Sequence, residues 1–204
     1  SRLNHATRET TQGYLTYNFP QSTTAIYSFF LYELCDVYLE AVKPIFSPIG
    51  SPEKQNSARN VLYTCLDTCL RLMHPLMPFI SEELWQRLPR RPSESHVTSI
   101  VVAAFPEVVD CLDSKEAEKE FSIYFDVVKA VRSLKTEVLK VKQAAIVTIV
   151  AKEEVLRGLL DKEEARELIV TLAKISAPYG LVAVRIKKKL FLCFWCVLIG
   201  GIDE

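Results

Sequence analysis

Glycine is scarce in this sequence, with 6 dispersed residues in 204. No GxGxxG and no P-loop run occurs, so no stretch of backbone amides is set up to cradle a phosphate. Histidine is scarcer. His5, His74 and His96 are scattered, and none has a serine or cysteine partner at an interpretable spacing, so no catalytic centre is read from them. The six cysteines, Cys35, Cys65, Cys69, Cys111, Cys193 and Cys196, lack the paired spacing of a secreted disulfide framework, and small core thiols fit a reducing compartment. An excess of charge is lacking too. Lys+Arg and Asp+Glu both number 25, so any positive field has to come from local clusters. The longest apolar run, 190–199, falls well short of the ~20 residues of a membrane helix, and the polar opening decapeptide does not read as a secretory leader.

What is present is an ordinary globular balance, 49% hydrophobic and 25% charged, with apolar residues at helical spacing. Leu3, Ala6, Thr10, Tyr14 and Tyr17 share one stripe, broken at Phe19-Pro20. Ser22-Thr23-Thr24 reads as the cap of a second helix whose apolar side is Ile26, Phe29, Phe30, Leu34, Val37, Tyr38 and Ala41, ended by Pro44. A Pro/Gly/Ser loop over 47–52 leads into a third helix with Ala58, Val61, Leu62, Cys65, Leu66, Cys69, Leu72 and Met73 on one face. Ser81 reads as the cap of a fourth, with Glu82 and Glu83 at its positive end and Leu84, Trp85 and Leu88 inward. A loop with a short extended piece at 100–105 follows. A long helix over about 114–142 then has Phe121, Tyr124, Val128, Val131, Val138 and Val141 as its seam. Beyond it, 144–151 reads as a strand, 152–175 as helix, Pro178-Tyr179-Gly180 as a turn, and 181–187 and 190–199 as strands. The fold class expected is mainly α: an antiparallel helical bundle over 1–112, then a long connecting helix and a small α/β unit over 113–204.

Candidate motifs mostly favour structural readings. Cys193-Phe194-Trp195-Cys196 spells CxxC, but residues three apart in a strand face opposite sides, and no second pair completes a tetrahedral zinc site. Glu82 and Glu83 are adjacent on a helix and point apart, which favours a helix start over an acid–base pair. Three basic clusters stand out, Arg87/Arg90/Arg91, Lys129/Arg132/Lys135 and Arg185/Lys187/Lys188/Lys189. Charge clusters are more often solvated surface than nucleic-acid contacts. The sequence therefore points to no catalytic and no metal-binding residue.

Two segments go further. Tyr32-Glu33-Leu34-Cys35-Asp36-Val37-Tyr38-Leu39-Glu40-Ala41-Val42-Lys43-Pro44 resembles a segment of the valyl-tRNA synthetases. The run from Leu72 through His74-Pro75-Leu76-Met77-Pro78-Phe79-Ile80-Ser81-Glu82-Glu83-Leu84-Trp85 to Leu88 is similar to a second segment of that family, and Ala130-Val131-Arg132-Ser133-Leu134 to a third. Tyr14 to Pro20 and Ser22-Thr23-Thr24 look closest to the eukaryotic cytosolic members. The second segment is shared, with variation, by isoleucyl and leucyl relatives, whereas the first points more narrowly to the valyl family. The likeness is good over 1–134 and looser after it, where Glu137-Val138-Leu139-Lys140 departs from the family's usual turn and the stretch between Arg185 and Leu190 looks shortened.

The resemblance implies a class I aminoacyl-tRNA synthetase of the cytoplasm, a valine–tRNA ligase, represented by its α-helical anticodon-binding domain. The catalytic and editing domains, the first helix of the anticodon domain and the C-terminal coiled-coil arm are expected to lie outside this chain. ATP and Mg are then the family's cofactors, bound by the catalytic domain, with none in this chain. The chain alone is expected to be inactive as an enzyme. Its partners are valine tRNA isoacceptors and that catalytic domain, with no membrane. Carried over by position, Leu39 corresponds to an apolar residue packing against the anticodon, with Tyr38, Glu40 and Lys43 as near neighbours, against the simpler reading of Leu39 as a surface or core leucine. Unpaired bases splay onto apolar and aromatic side chains, which suits that role. Lys129, Arg132 and Lys135 are secondary candidates for phosphate contact. The alternatives kept open are an isoleucyl- or leucyl-type anticodon domain and a non-enzymatic helical interaction module.

Overall fold

The computed structural model describes residues 1–48, 50–89, 97–138, 145–150, 154–175, 180–182 and 196–201. The chain divides into two compact units, Ser1–Ser114 and Lys115–Glu204.

The first unit is helical. Its opening hairpin pairs α1 (Arg2–Leu15) with α2 (Phe19–Tyr27). The turn between them is a paired C-cap: Tyr17 takes a left-handed φ of 56°, its N–H donates to the Tyr14 carbonyl, and Asn18 N–H donates 2.8 Å back to the Gly13 carbonyl. The sequence places the second helix at Ser22, but it starts three residues earlier. The Asn18 side chain accepts from Gln21 N–H, and Pro20 fits the first turn, where a missing N–H costs nothing. Ser22 instead lies buried inside the helix and donates 2.9 Å to the Thr10 carbonyl, which lets α1 and α2 approach closely at Gly13. Tyr17, expected on the buried stripe, is 81% exposed because the helix has already ended.

Beyond α2 the rod changes register. Ser28–Tyr38 is π-helical, followed by one turn of α-helix, α3 (Leu39–Ala41), and a 3-10 turn at Lys43–Phe46. The side-chain pattern accounts for the π form. Phe29 and Leu34 are both buried although five residues apart. An α-helix sets such a pair about 140° apart around its axis, whereas i→i+5 bonding brings them onto one side. They pack with Ala6 of α1 and with Cys69 of α4 (Pro52–Met73), and Leu62, Cys65, Leu66 and Tyr38 join the same core. Val61, expected on that face, is exposed.

A second face of α4 is also buried. Leu70 meets Trp85 of α5 (Pro78–Arg87) and Ile100. Ser81 does not cap α5, which begins at Pro78. It sits within the helix, donates 2.7 Å to the Met77 carbonyl and is buried. Leu84 faces outward. The piece at Ile100–Val102 is a 3-10 turn rather than extended chain, because Ser99 caps it by accepting from Val101 N–H.

The second unit opens with α6 (Lys115–Val138), whose buried seam is Tyr124, Val127, Val128 and Val131; Phe121, expected there, is exposed. The segment expected to be one helix over 152–175 is two, α7 (Glu154–Asp161) and α8 (Glu163–Ala173), because Lys162 takes an extended ψ of 135°. They connect β1 (Ala145–Val150) to β2 (Gly180–Val182), parallel to it, and β3 (Cys196–Gly201) pairs antiparallel on the other edge of β1. The register runs Thr148↔Gly180 on one side and Thr148↔Leu198 on the other. Val147 and Ile149 are buried on one face of β1, as are Leu160, Ala165, Ile169 and Leu172 on the helices. The chain is mainly α, with the α/β unit following the helical one. Val141, His96, Arg90, Arg91, Cys193 and the cluster at 185–189 lie outside the described residues.

Candidate nucleic-acid interface

The outer side of the rod formed by α2, the π-helical segment and α3 carries the residues singled out by sequence. Leu39 is 36% exposed, a large apolar side chain at the first position of α3. Tyr38 beside it turns inward, and its hydroxyl donates 2.9 Å to the Ala58 carbonyl of α4. Burial pushes its phenol above the usual value. Tyr38 therefore fixes the rod against α4, and Leu39 is held outward by its neighbour's anchor. Glu40 and Lys43 form an ion pair of 2.5 Å at the surface, next to Leu39. Leu39 thus presents an apolar contact flanked by one cation and one carboxylate, with Tyr38 turned away from it.

The 3-10 turn continues this surface. Phe46 is exposed, with the Arg59 guanidinium 5.4 Å from its ring centroid. The turn is locked by Gly50, whose missing Cβ leaves room for the Ile45 carbonyl. Further back along the rod, Tyr27 and Tyr32 stand outward, 57% and 55% exposed, with ring centroids 5.7 Å apart and planes at 88°. Neither Phe46/Arg59 nor Tyr27/Tyr32 emerged from the sequence. The tyrosines are five residues apart, and a search at spacings of three and four passes over them.

Lys129, Arg132 and Lys135 occupy successive turns of α6 in the second unit. Lys129 lies 3.4 Å from Asp126 and 4.8 Å from the Phe125 ring centroid. Arg132 Nε donates 2.9 Å to the Leu172 carbonyl, and Lys135 Nζ donates 2.6 Å to that of Lys174. Those carbonyls close the C-terminus of α8, the end at which positive charge is favourable. Of the first basic cluster, Arg87 pairs with Glu83 at 2.6 Å.

Several other reactive groups are built into structure. Burial pushes the Cys65 thiol up to about 11 and raises that of Cys69 further, so neither supplies a thiolate. His74 Nδ1 lies 2.8 Å from Ser81 Oγ, but Ser81 is buried within α5 and closed to substrate. Glu82 does not serve as a helix-start charge. It accepts from Gln86, from the Ser99 hydroxyl at 2.9 Å and from Ile100 N–H at 3.0 Å, and these bonds, Gln86 foremost, hold its carboxyl below the usual value. The sequence also gave no sign of the Asp67–Trp85 bond, 2.7 Å, that joins α4 to α5. Among the described residues no cluster of three or more metal-ligating side chains occurs, and no helix is long and apolar enough to cross a membrane.

Comparison with known proteins finds a family and relatives over most of the chain. A family described as the anticodon-binding domain of tRNA ligase matches residues 1–150. A valine–tRNA ligase of Takifugu rubripes is 45% identical over 150 residues, covering 71% of this chain and 12% of that protein. The valine–tRNA ligase of Homo sapiens is 47% identical over 138 residues (67% of this chain, 11% of that protein). That of Schizosaccharomyces pombe is 46% identical over 154 (75% and 15%). The chain thus spans roughly an eighth of the length of these relatives.

Proposed function

Because this chain belongs to the anticodon-binding-domain family of tRNA ligases, we propose that it reads the anticodon of valine tRNA as one part of a valine–tRNA ligase. The whole protein joins valine to tRNA with ATP and Mg bound in a class I catalytic domain beyond this chain, in the cytoplasm. That catalytic domain is this chain's partner in the same protein, and the chain by itself is not catalytic.

The observation that carries the reading is Leu39, an exposed leucine held outward at the end of α3 by the inward anchor of Tyr38. An unpaired anticodon base packs on it. Lys43 and Glu40 flank that contact, the first suited to backbone phosphate and the second to a donor on a base edge. In the second unit, Lys129, Arg132 and Lys135 contact phosphate. Because Arg132 and Lys135 also hold the end of α8, Lys129 is the residue whose replacement tests this with least structural cost.

The test is binding of the chain to valine tRNA and isoleucine tRNA transcripts at low salt, with and without Leu39→Asp. A preference for valine tRNA that the substitution abolishes is expected. A charge covered by a base costs at least the ~1–3 kcal/mol of one lost stacking contact, so the loss should be about fivefold or more. A preference for isoleucine tRNA would move the chain to a sister specificity. Equal, weak, salt-sensitive binding to both, indifferent to Leu39, would leave only the fold of such a domain, and no binding to any tRNA would leave a helical interaction module instead.

A further inference from the structure

We infer that Tyr27 and Tyr32 form a second stacking platform on the same rod, which takes an unpaired nucleobase of the anticodon loop next to the one on Leu39. This rests on the tRNA reading above. Both rings stand in solvent and add nothing to the core, yet they are held in a defined edge-to-face pair, 5.7 Å between centroids and 88° between planes. Two aromatic planes at a right angle leave one ring face open for stacking, while the edge of the other ring supports it.

The pair exists only because the backbone is π-helical. Tyr27 and Tyr32 are five residues apart, and in an α-helix they would diverge by about 140° and not touch. The same register turns Phe29 and Leu34 inward and the two phenols outward. Long π-helical stretches are rare, and π-helical turns gather at functional sites. The core needs Phe29 and Leu34. It does not need two exposed tyrosines.

Position supports the assignment. Leu39 lies seven residues beyond Tyr32 on the same rod. Asp36 stands exposed between them. A carboxylate there suits the exocyclic amine of a base and disfavours phosphate, so the strip from Tyr27 to Leu39 is a surface for bases rather than for backbone. Aromatic rings accept any base face, so the platform contributes affinity, and selection falls to the neighbouring polar groups.

The experiment uses the full chain and valine tRNA carrying the fluorescent base 2-aminopurine at each anticodon-loop position in turn. At least one position is expected to be quenched on binding, with the quench lost in Tyr27→Ala and Tyr32→Ala. Those variants should bind about tenfold more weakly, and Tyr32→Phe, which keeps the ring, within about twofold. Unaltered far-UV circular dichroism melts of the variants establish that the fold persists. If both alanine variants bind like the parent while Leu39→Asp abolishes binding, the platform is refuted and the tRNA reading stands. If no loop position is quenched on the parent chain, the platform is refuted whatever the variants do. If Tyr32→Phe is as weak as Tyr32→Ala, the hydroxyl and not the ring makes the contact. No binding by the parent chain overturns both readings.

Discussion

At the scale of single residues, the strongest polar dependence in the first unit is Asp67. Its Oδ1 accepts from the Trp85 indole at 2.7 Å and from Arg71 Nε at 3.3 Å, and Oδ2 lies 2.9 Å from Arg71. Both charged side chains are mostly buried, 13% and 15% exposed. Arg71 also donates to the Ala104 carbonyl, so one carboxylate ties α4, α5 and the returning loop together. Asp67→Ala removes the carboxylate that accepts from the Trp85 indole and pairs with the Arg71 guanidinium. An unsatisfied buried donor costs about 1–3 kcal/mol, and a buried ion pair broken on one side about 3–5. A loss near 3 kcal/mol is expected in urea unfolding followed by circular dichroism. A loss below about 1 kcal/mol would mean that water replaces the carboxylate. The sequence hid this residue because α4 is buried on two faces. One is the apolar stripe through Leu62, Cys65 and Cys69; the other uses Asp67, Leu70 and Arg71, and half of that reads as solvent-facing.

At the scale of elements, the contact between α1 and α2 depends on Gly13. A Cβ there would lie 2.9 Å from both the Asn18 carbonyl oxygen and the Ser22 nitrogen, and 2.3 Å from Ser22 Oγ. Two of those atoms are backbone and cannot swing away. Helix propensity alone favours Gly13→Ala by about 1 kcal/mol, and overpacking opposes it by about 1–3. Because the backbone sets the clash, the second effect wins. The variant should lower the thermal midpoint, and a raised midpoint would show that α2 shifts aside at little cost. Where periodicity was simple, as in α4, α6 and β1, the sequence was enough to place the element. It misplaced boundaries wherever a residue had two uses. Ser22 and Ser81 look like caps but bond within helices to Thr10 and Met77. The π-helical segment was invisible for a related reason: its buried and exposed pairs recur every five residues, a period that propensity and 3.6-residue patterning do not test. Leu39 was legible only through resemblance. Its outward pose follows from the Tyr38–Ala58 bond, which no local pattern reveals.

For the whole molecule, the balance of 25 basic and 25 acidic residues decides how RNA is held. Much of the charge is also spent internally, as in Arg8–Asp113, Lys43–Glu40, Arg87–Glu83, Lys129–Asp126 and Lys162–Glu120. Surface pairs of this kind contribute about 0–1 kcal/mol each, so a phosphate can displace the carboxylate, but the gain is reduced by what is broken. On the proposed reading, long-range attraction to tRNA is therefore weak, and affinity would fall mainly on base contacts around Leu39 rather than on the counterion release that dominates in basic proteins. If Lys43, Lys129, Arg132 and Lys135 supply four phosphate contacts, the slope of log K against log salt should be about −3 to −4. Lys129→Ala should make it shallower by nearly 1 without changing the preference among tRNAs. Arg132 and Lys135 are poorer probes, since replacing either also frees the carbonyl end of α8 and lowers the stability of the second unit. A slope that Lys129→Ala leaves unchanged would return α6 to ordinary solvated charge. A slope much steeper than about −4 would place the principal cations elsewhere in the chain, because four contacts cannot release that many counterions.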